Sequence, residues 1–218
     1  MSDRILLVEG VEDVGFFAVF CASVDLQDIR IEPKRPAWLG APGNGWTNVL
    51  KVLPLQLGRL RESDSGLSRL GIVIDADHAP SGGFNARYRR LSDTLAEHGY
   101  RATEDPQAGF LFEHNDGLPP VGLWIMPDNV ADGMLEDFVE QSIVADQQPL
   151  LAHARSSIET LPVTLYKPIH AHKALVGTWR AWQKTPCGPL SQVVKEGAID
   201  LNAPLAQRFK TWLKATFI

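Results

Sequence analysis

The feature that most constrains this chain is a repeated order: a short branched apolar run, an acid or turn residue, then a stretch of helical period. Arg4-Ile5-Leu6-Leu7-Val8 ends in Glu9-Gly10, Leu70-Gly71-Ile72-Val73-Ile74 ends in Asp75-Ala76-Asp77, and residues 121–126 end in Pro127-Asp128. Runs this apolar are what strands buried on both faces require. Between them, Val14, Phe16, Phe17, Val19, Phe20 and Cys21 form a thick stripe over residues 13–24, as expected of a helix packed on a sheet. Thr47 is placed to cap a helix reaching about Arg61, and Ser81-Gly82-Gly83 opens a polar helix through Glu97 that Gly99 stops. Residues 28–32 and 110–112 add strands, and Gly133 leads into a helix beginning near Met134. This alternation predicts an α/β fold with a mostly parallel sheet and helices on both faces.

Beyond residue 148 the texture changes to helices alone, at 149–160, 170–183 and 205–217. No linker separates them, so the expected organisation is a core over 1–148 and a helical C-terminal extension over 149–218 packed on the same domain. No apolar run approaches the roughly 20 residues of a membrane span. Glu9 cuts the first apolar stretch too short for a signal peptide. The expected location is cytoplasmic.

Charge narrows the function. Lys and Arg number 21 against 26 Asp and Glu, for a net charge of −5. Proteins that coat nucleic acid carry a basic excess, so contact here would need a local patch. Arg87, Arg89 and Arg90 offer one: they are either a solvated helix face or phosphate-steering groups, Arg87 and Arg90 being the candidate nucleic-acid contacts. Two cysteines, Cys21 and Cys187, build neither a disulfide framework nor a four-cysteine zinc site.

The carboxylates sit where strands end. In open α/β sheets ligands bind outside the carboxyl ends of the strands, and Glu9, Asp75, Asp77 and Asp128 all fall there. Asp75 and Asp77 are two apart and point the same way in an extended chain. Like charges held together call for a cation, and Mg²⁺ or Mn²⁺ suits oxygen ligands of this type. Asp13, one helical turn after Glu9, can join them, or can simply cap its helix. Glu136 and Asp137 open a helix, where the dipole favours acids with no ligand at all.

Other signals are weaker. Residues 40–47 carry glycines at P-loop spacing, but Trp46 stands where the phosphate-binding lysine is needed, which excludes that NTPase motif. Ser156 and Ser157 have no nucleophile elbow. His170 and His172 flank Ala171 with no acid or thiol near in sequence, and read as helix-start histidines. Trp124, Trp179, Trp182 and Trp212 fall in apolar patterns and read as core.

A strand ending in Glu9-Gly10, followed much later by one ending in Asp75-Ala76-Asp77, resembles the Toprim domain of topoisomerases, primases and the overcoming-lysogenization-defect nucleases. The Glu9-Gly-Val-Glu-Asp13 spacing and the 127–137 segment, Pro-Asp-Asn-(x)₃-Gly-Met-Leu-Glu-Asp, are similar to the nuclease branch. The resemblance covers about residues 4–140, with Lys173 carried beyond it. It implies a Toprim-like Rossmannoid core and an Mg²⁺ or Mn²⁺ site built from Glu9, Asp13, Asp75, Asp77 and Glu136. Glu9 would be ligand or general base, and Lys173 would neutralise charge on a phosphate. The chain has no room for the ATPase domain that nuclease relatives carry, so an ATPase enters only as a partner.

The expected function is a metal-dependent phosphodiester hydrolase acting on DNA or RNA. The alternative is a non-catalytic Toprim-like module that binds a metal with a nucleotide, a nucleic acid or a partner protein. A phosphoacceptor built on Asp75 is a third reading, disfavoured because Glu9 occupies the end of the first strand, where haloacid-dehalogenase-type phosphatases place their Asp-x-Asp. Oligomeric state is left open by the sequence.

Overall fold

The computed structural model describes residues 3–32, 45–80, 82–103 and 108–218. Six strands form one sheet: β1 (Asp3–Leu7), β2 (Ile29–Glu32), β3 (Leu67–Asp75), β4 (Tyr100–Ala102), β5 (Phe110–His114) and β6 (Val121–Met126). Their spatial order is β2-β1-β3-β6-β5-β4. The first four in that order are parallel, while β5 and β4 are added antiparallel at one edge. The chain is an α/β protein with a mostly parallel sheet and helices on both faces.

Strand alternation assigns each residue to a face. Ile5, Leu7, Leu70, Ile72, Ile74, Leu123 and Ile125 pack beneath α2 (Gly45–Arg61) and α3 (Phe84–Glu97). Leu6, Val8, Val73, Trp124 and Met126 pack against α1 (Val11–Ser23), α4 (Leu135–Gln141), α5 (Gln148–Glu159), α6 (Ala171–Ala181), α7 (Leu190–Lys195) and α8 (Pro204–Phe217). The C-terminal helices are therefore one wall of the central core: α8 lies on β3 and β6, α7 on α1, and α6 on α4. Phe209 and Trp212 of α8 stack on each other and meet Trp124 of β6, all fully buried.

Several local expectations are corrected. α2 starts at Gly45, so Thr47 lies inside its first turn instead of capping it. α3 begins at Phe84 with Gly83 as its N-cap; Ser81 and residues 40–44 lie outside the described residues. Three-residue β4 and six-residue α7 are too short to show a period in the sequence. Trp182 is not core: it is 41% exposed, unlike Trp124, Trp179 and Trp212. Among the described residues no helix is long and apolar enough to cross a membrane.

The order of strands fixes where a ligand can enter. From β1 the chain crosses through α1 on one face to β2, then through α2 on the other face to β3, on the opposite side of β1. The β1–β3 boundary is thus the point where successive connections diverge, leaving a crevice at the carboxyl ends of the strands.

Candidate functional site

Glu9 and Asp75 flank that crevice. Glu9 follows the end of β1, and Asp75 is the last residue of β3. The Asp75 backbone N–H donates to Glu9 Oε1 at 2.9 Å, tying the two strand ends together. Asp75 Oδ1 in turn accepts the N–H of Leu135, the first residue of α4, at 2.9 Å. Asp13 Oδ2 accepts the Gly10 N–H at 2.7 Å at the start of α1. The capping reading of Asp13 is therefore correct, and the same side chain also faces the cleft. Each of the three acids spends one oxygen on a backbone amide, and none has a further hydrogen-bond partner among the described residues.

Glu9, Glu12, Asp13, Asp75, Glu136 and Lys173 line one cleft of about 330 Å³, with Gly10, Gly45, Leu135 and Leu190. Glu136 comes from the first turn of α4 and Lys173 from the first turn of α6, with Lys173 Nζ 4.0 Å from Glu136 Oε1. Gly45 permits this close assembly, because a Cβ there would stand 2.9 Å from both Cβ and Oε2 of Glu9.

The concentration of acids is visible in their proton affinities. Burial pushes the Glu9 carboxyl up to about 7, opposed by the Asp75 amide and reinforced by the Asp77 and Asp13 charges. Burial likewise raises Asp13 to about 6, against the Gly10 hydrogen bond and with help from Glu136. Asp75 is raised well above the usual carboxylate range by burial and then by Glu9, Asp13, Glu136 and Asp77. Glu136 is raised by burial, with Lys173 pulling the other way. Carboxylates so placed either take up protons or gain a cation.

Asp77 behaves differently from the Asp75 beside it. Its backbone is left-handed, with φ 58°, and its N–H and C=O exchange hydrogen bonds with Gly133 at 2.8 and 3.1 Å. The expectation that Asp75 and Asp77 point the same way fails because the chain has already left the strand. The Asp77 carboxylate pairs with Arg87 Nη2 at 2.6 Å. Arg87 is 4% exposed, and its guanidinium lies 3.9 Å from the Trp46 ring centroid. Arg87 is thus not part of a solvated face; it is held between Asp77 and Trp46. Arg90 is exposed on α3 and does not line the cleft. Asp128 is also outside the cleft, its Oδ1 accepting the Val130 and Ala131 amides of its own turn.

The sequence places no acid near His172, and the fold supplies two. Its Nδ1 lies 3.0 Å from Asp137 Oδ1 and 2.8 Å from Glu140 Oε2, while Arg155 pairs with the same Glu140. Asp137 also caps α4 through the Met134 N–H. This cluster pins the start of α6, and so the backbone of Lys173, to α4. No spacing in the sequence announces it, since the partners lie 32 and 35 positions apart.

The donor set suits a hard divalent cation: oriented carboxylate oxygens with a second oxygen to offer, at a point where negative charge is in excess. Among the described residues no group of three or more His, Cys, Asp or Glu is arranged to hold a metal ion. That is compatible with Mg²⁺, which takes one or two carboxylates and completes its shell with water and substrate. Glu9 and Asp75 are the residues best placed to hold it, with Asp13 and Glu136 beside them.

No curated protein and no solved structure matches the chain. A family model described as "Protein of unknown function (DUF3226)" matches residues 3–218. The match spans the sheet, the acid cleft and the C-terminal helices that wall it, and the chain belongs to this family.

Proposed function

We propose that this protein is an Mg²⁺- or Mn²⁺-dependent phosphodiester hydrolase of the nuclease class, working in the cleft between β1 and β3. The observation that carries this reading is the convergence of Glu9, Asp13, Asp75 and Glu136 on one cleft together with Lys173. The Toprim resemblance of the Glu9-Gly10 and Asp75-Ala76-Asp77 motifs supports it.

A bound divalent ion would polarise the phosphate and help generate the attacking nucleophile from water. Asp75, oriented by the Leu135 amide, and Glu9, oriented by the Asp75 amide, would hold the ion. Where the ion is held by Asp75 without it, Glu9, which lines the same cleft, would serve as the general base toward water. Lys173 offers its ammonium to charge developing on the phosphate oxygens. Asp77 takes a positioning role: it holds Arg87, and through its bridge to Gly133 it ties the loop after β3 to the loop before α4.

One observation favours the non-catalytic alternative. Asp77, a metal ligand by resemblance, is committed to Arg87, which leaves fewer carboxylates for a second ion. Both readings are tested by incubating supercoiled plasmid, single-stranded DNA and RNA, and short oligonucleotides down to a dinucleotide with the protein in Mn²⁺, Mg²⁺ or EDTA, beside Asp75→Asn. The hydrolase reading expects cleavage that requires metal and disappears in the variant. Absence of cleavage, with Mn²⁺ still raising the melting temperature of the wild type alone, selects the binding module.

A further inference from the structure

The cleft carries information about the size of its substrate. Its volume, about 330 Å³, lies at the lower end of the roughly 300–1,000 Å³ typical of small-molecule sites. Five carboxylates and a single cation, Lys173, line it among the described residues. Two arginines that could extend a phosphate-binding track are engaged internally. Arg87 is bound to Asp77 beneath Trp46, and Arg180 reaches Glu12 at 3.5 Å and donates to the Gly188 carbonyl. The whole chain carries a net charge of −5. Affinity for a polynucleotide comes largely from many Lys and Arg contacts that release counterions from successive phosphates. Specific protein–DNA interfaces are accordingly broad and strongly basic. This cleft has the reverse character.

We infer that the substrates are short nucleotide phosphodiesters of two or three residues, gripped at one phosphate by Lys173, and not long strands or duplexes. The inference rests on the hydrolase reading for the chemistry but on cleft size and cation number for the substrate class. Lengthening the substrate then adds phosphates that meet no further cation among the described residues, so affinity per phosphodiester does not grow with chain length.

The test is binding without turnover. The full chain in Ca²⁺ is titrated into a fluorescein-labelled dinucleotide and a labelled 30-nucleotide single strand, and the dissociation constants are followed by anisotropy against salt. The inference predicts constants within about threefold of each other once expressed per phosphodiester, and for the 30-mer a log–log salt slope near −0.7, the value for about one phosphate contact on a single strand. Lys173→Ala flattens the 30-mer slope; its side chain is half exposed and, among the described residues, its one ion pair is with Glu136 at 4.0 Å, so the fold is retained. A 30-mer bound more than about tenfold tighter per phosphodiester, with a slope beyond about −2, would mean several phosphate contacts and overturn the inference. Failure of both ligands to bind would overturn it as well. The hydrolase reading is separable: metal-dependent cleavage of long strands that is lost in Asp75→Asn would leave it standing while removing the size limit.

Discussion

Replacing Glu9 with Gln isolates the energetic cost of the acid cleft. Gln keeps an oxygen to accept the Asp75 N–H that Glu9 now accepts at 2.9 Å, so the change removes a charge and little else. Glu9 is raised from 4.5 to about 7, chiefly by burial. Between those two values the folded protein binds more protons than the unfolded chain. Stability therefore falls as pH rises through that window and levels off above it. A rise of about 2.5 pH units corresponds to on the order of 3 kcal/mol at ~1.4 kcal/mol per unit. For a chain of this size that is about 6–12 °C in melting temperature, at ~2–4 °C per kcal/mol. In EDTA, Glu9→Gln should match the wild type at pH 4.5 and melt several degrees higher at pH 8. Mn²⁺ should close the gap by stabilising only the wild type. Asp13 and Asp75 are raised in the same direction, so the variant retains part of the pH dependence. Thermal melts followed by circular dichroism at both pH values provide the assay. A variant less stable than the wild type at pH 8 in EDTA would refute the claim that the ionised Glu9 is a burden in the empty cleft.

Other substitutions separate the parts of the site. Arg87→Ala leaves Asp77 without its 2.6 Å partner and removes the support under Trp46; urea denaturation should show a loss of about 2–3 kcal/mol, which Arg87→Lys does not restore because it lacks the planar guanidinium. Gly45→Ala places a methyl group 2.9 Å from Glu9 Oε2; it should cost stability by about 1–3 kcal/mol as an overpacked contact and weaken Mn²⁺ affinity measured by calorimetry. His172→Ala frees the start of α6 from Asp137 and Glu140; cleavage should fall through Lys173 while Mn²⁺ affinity stays near that of the wild type.

The strands that build the cleft were legible because each is a continuous apolar run that ends abruptly in an acid. β6 matched its expected residues 121–126, and β1 and β3 differed only at their ends. Glu9 and Asp75 followed from that pattern, since strand ends in an open parallel sheet gather at one edge. The orientation of Asp77 was not legible. It depends on a left-handed backbone and on a bridge to Gly133, a residue 56 positions away that only the finished sheet brings near. The burial of Arg87 escaped for the same reason, as its neighbours 85, 86, 89 and 90 are exposed and give the helix a solvated look. The acid partners of His172 depend on packing of α6 against α4, which no local period encodes.

The measurement that bears most directly on the central claim is a Mn²⁺ titration at pH 7.5 read by electron paramagnetic resonance, on the wild type and on Asp75→Asn. Asp75 stands between Glu9 and the start of α4, so the account predicts that the wild type removes free Mn²⁺ from solution and that the variant does not. A wild type that binds no Mn²⁺, or a variant that binds it equally well, would contradict the assignment of this cleft as a divalent-metal site.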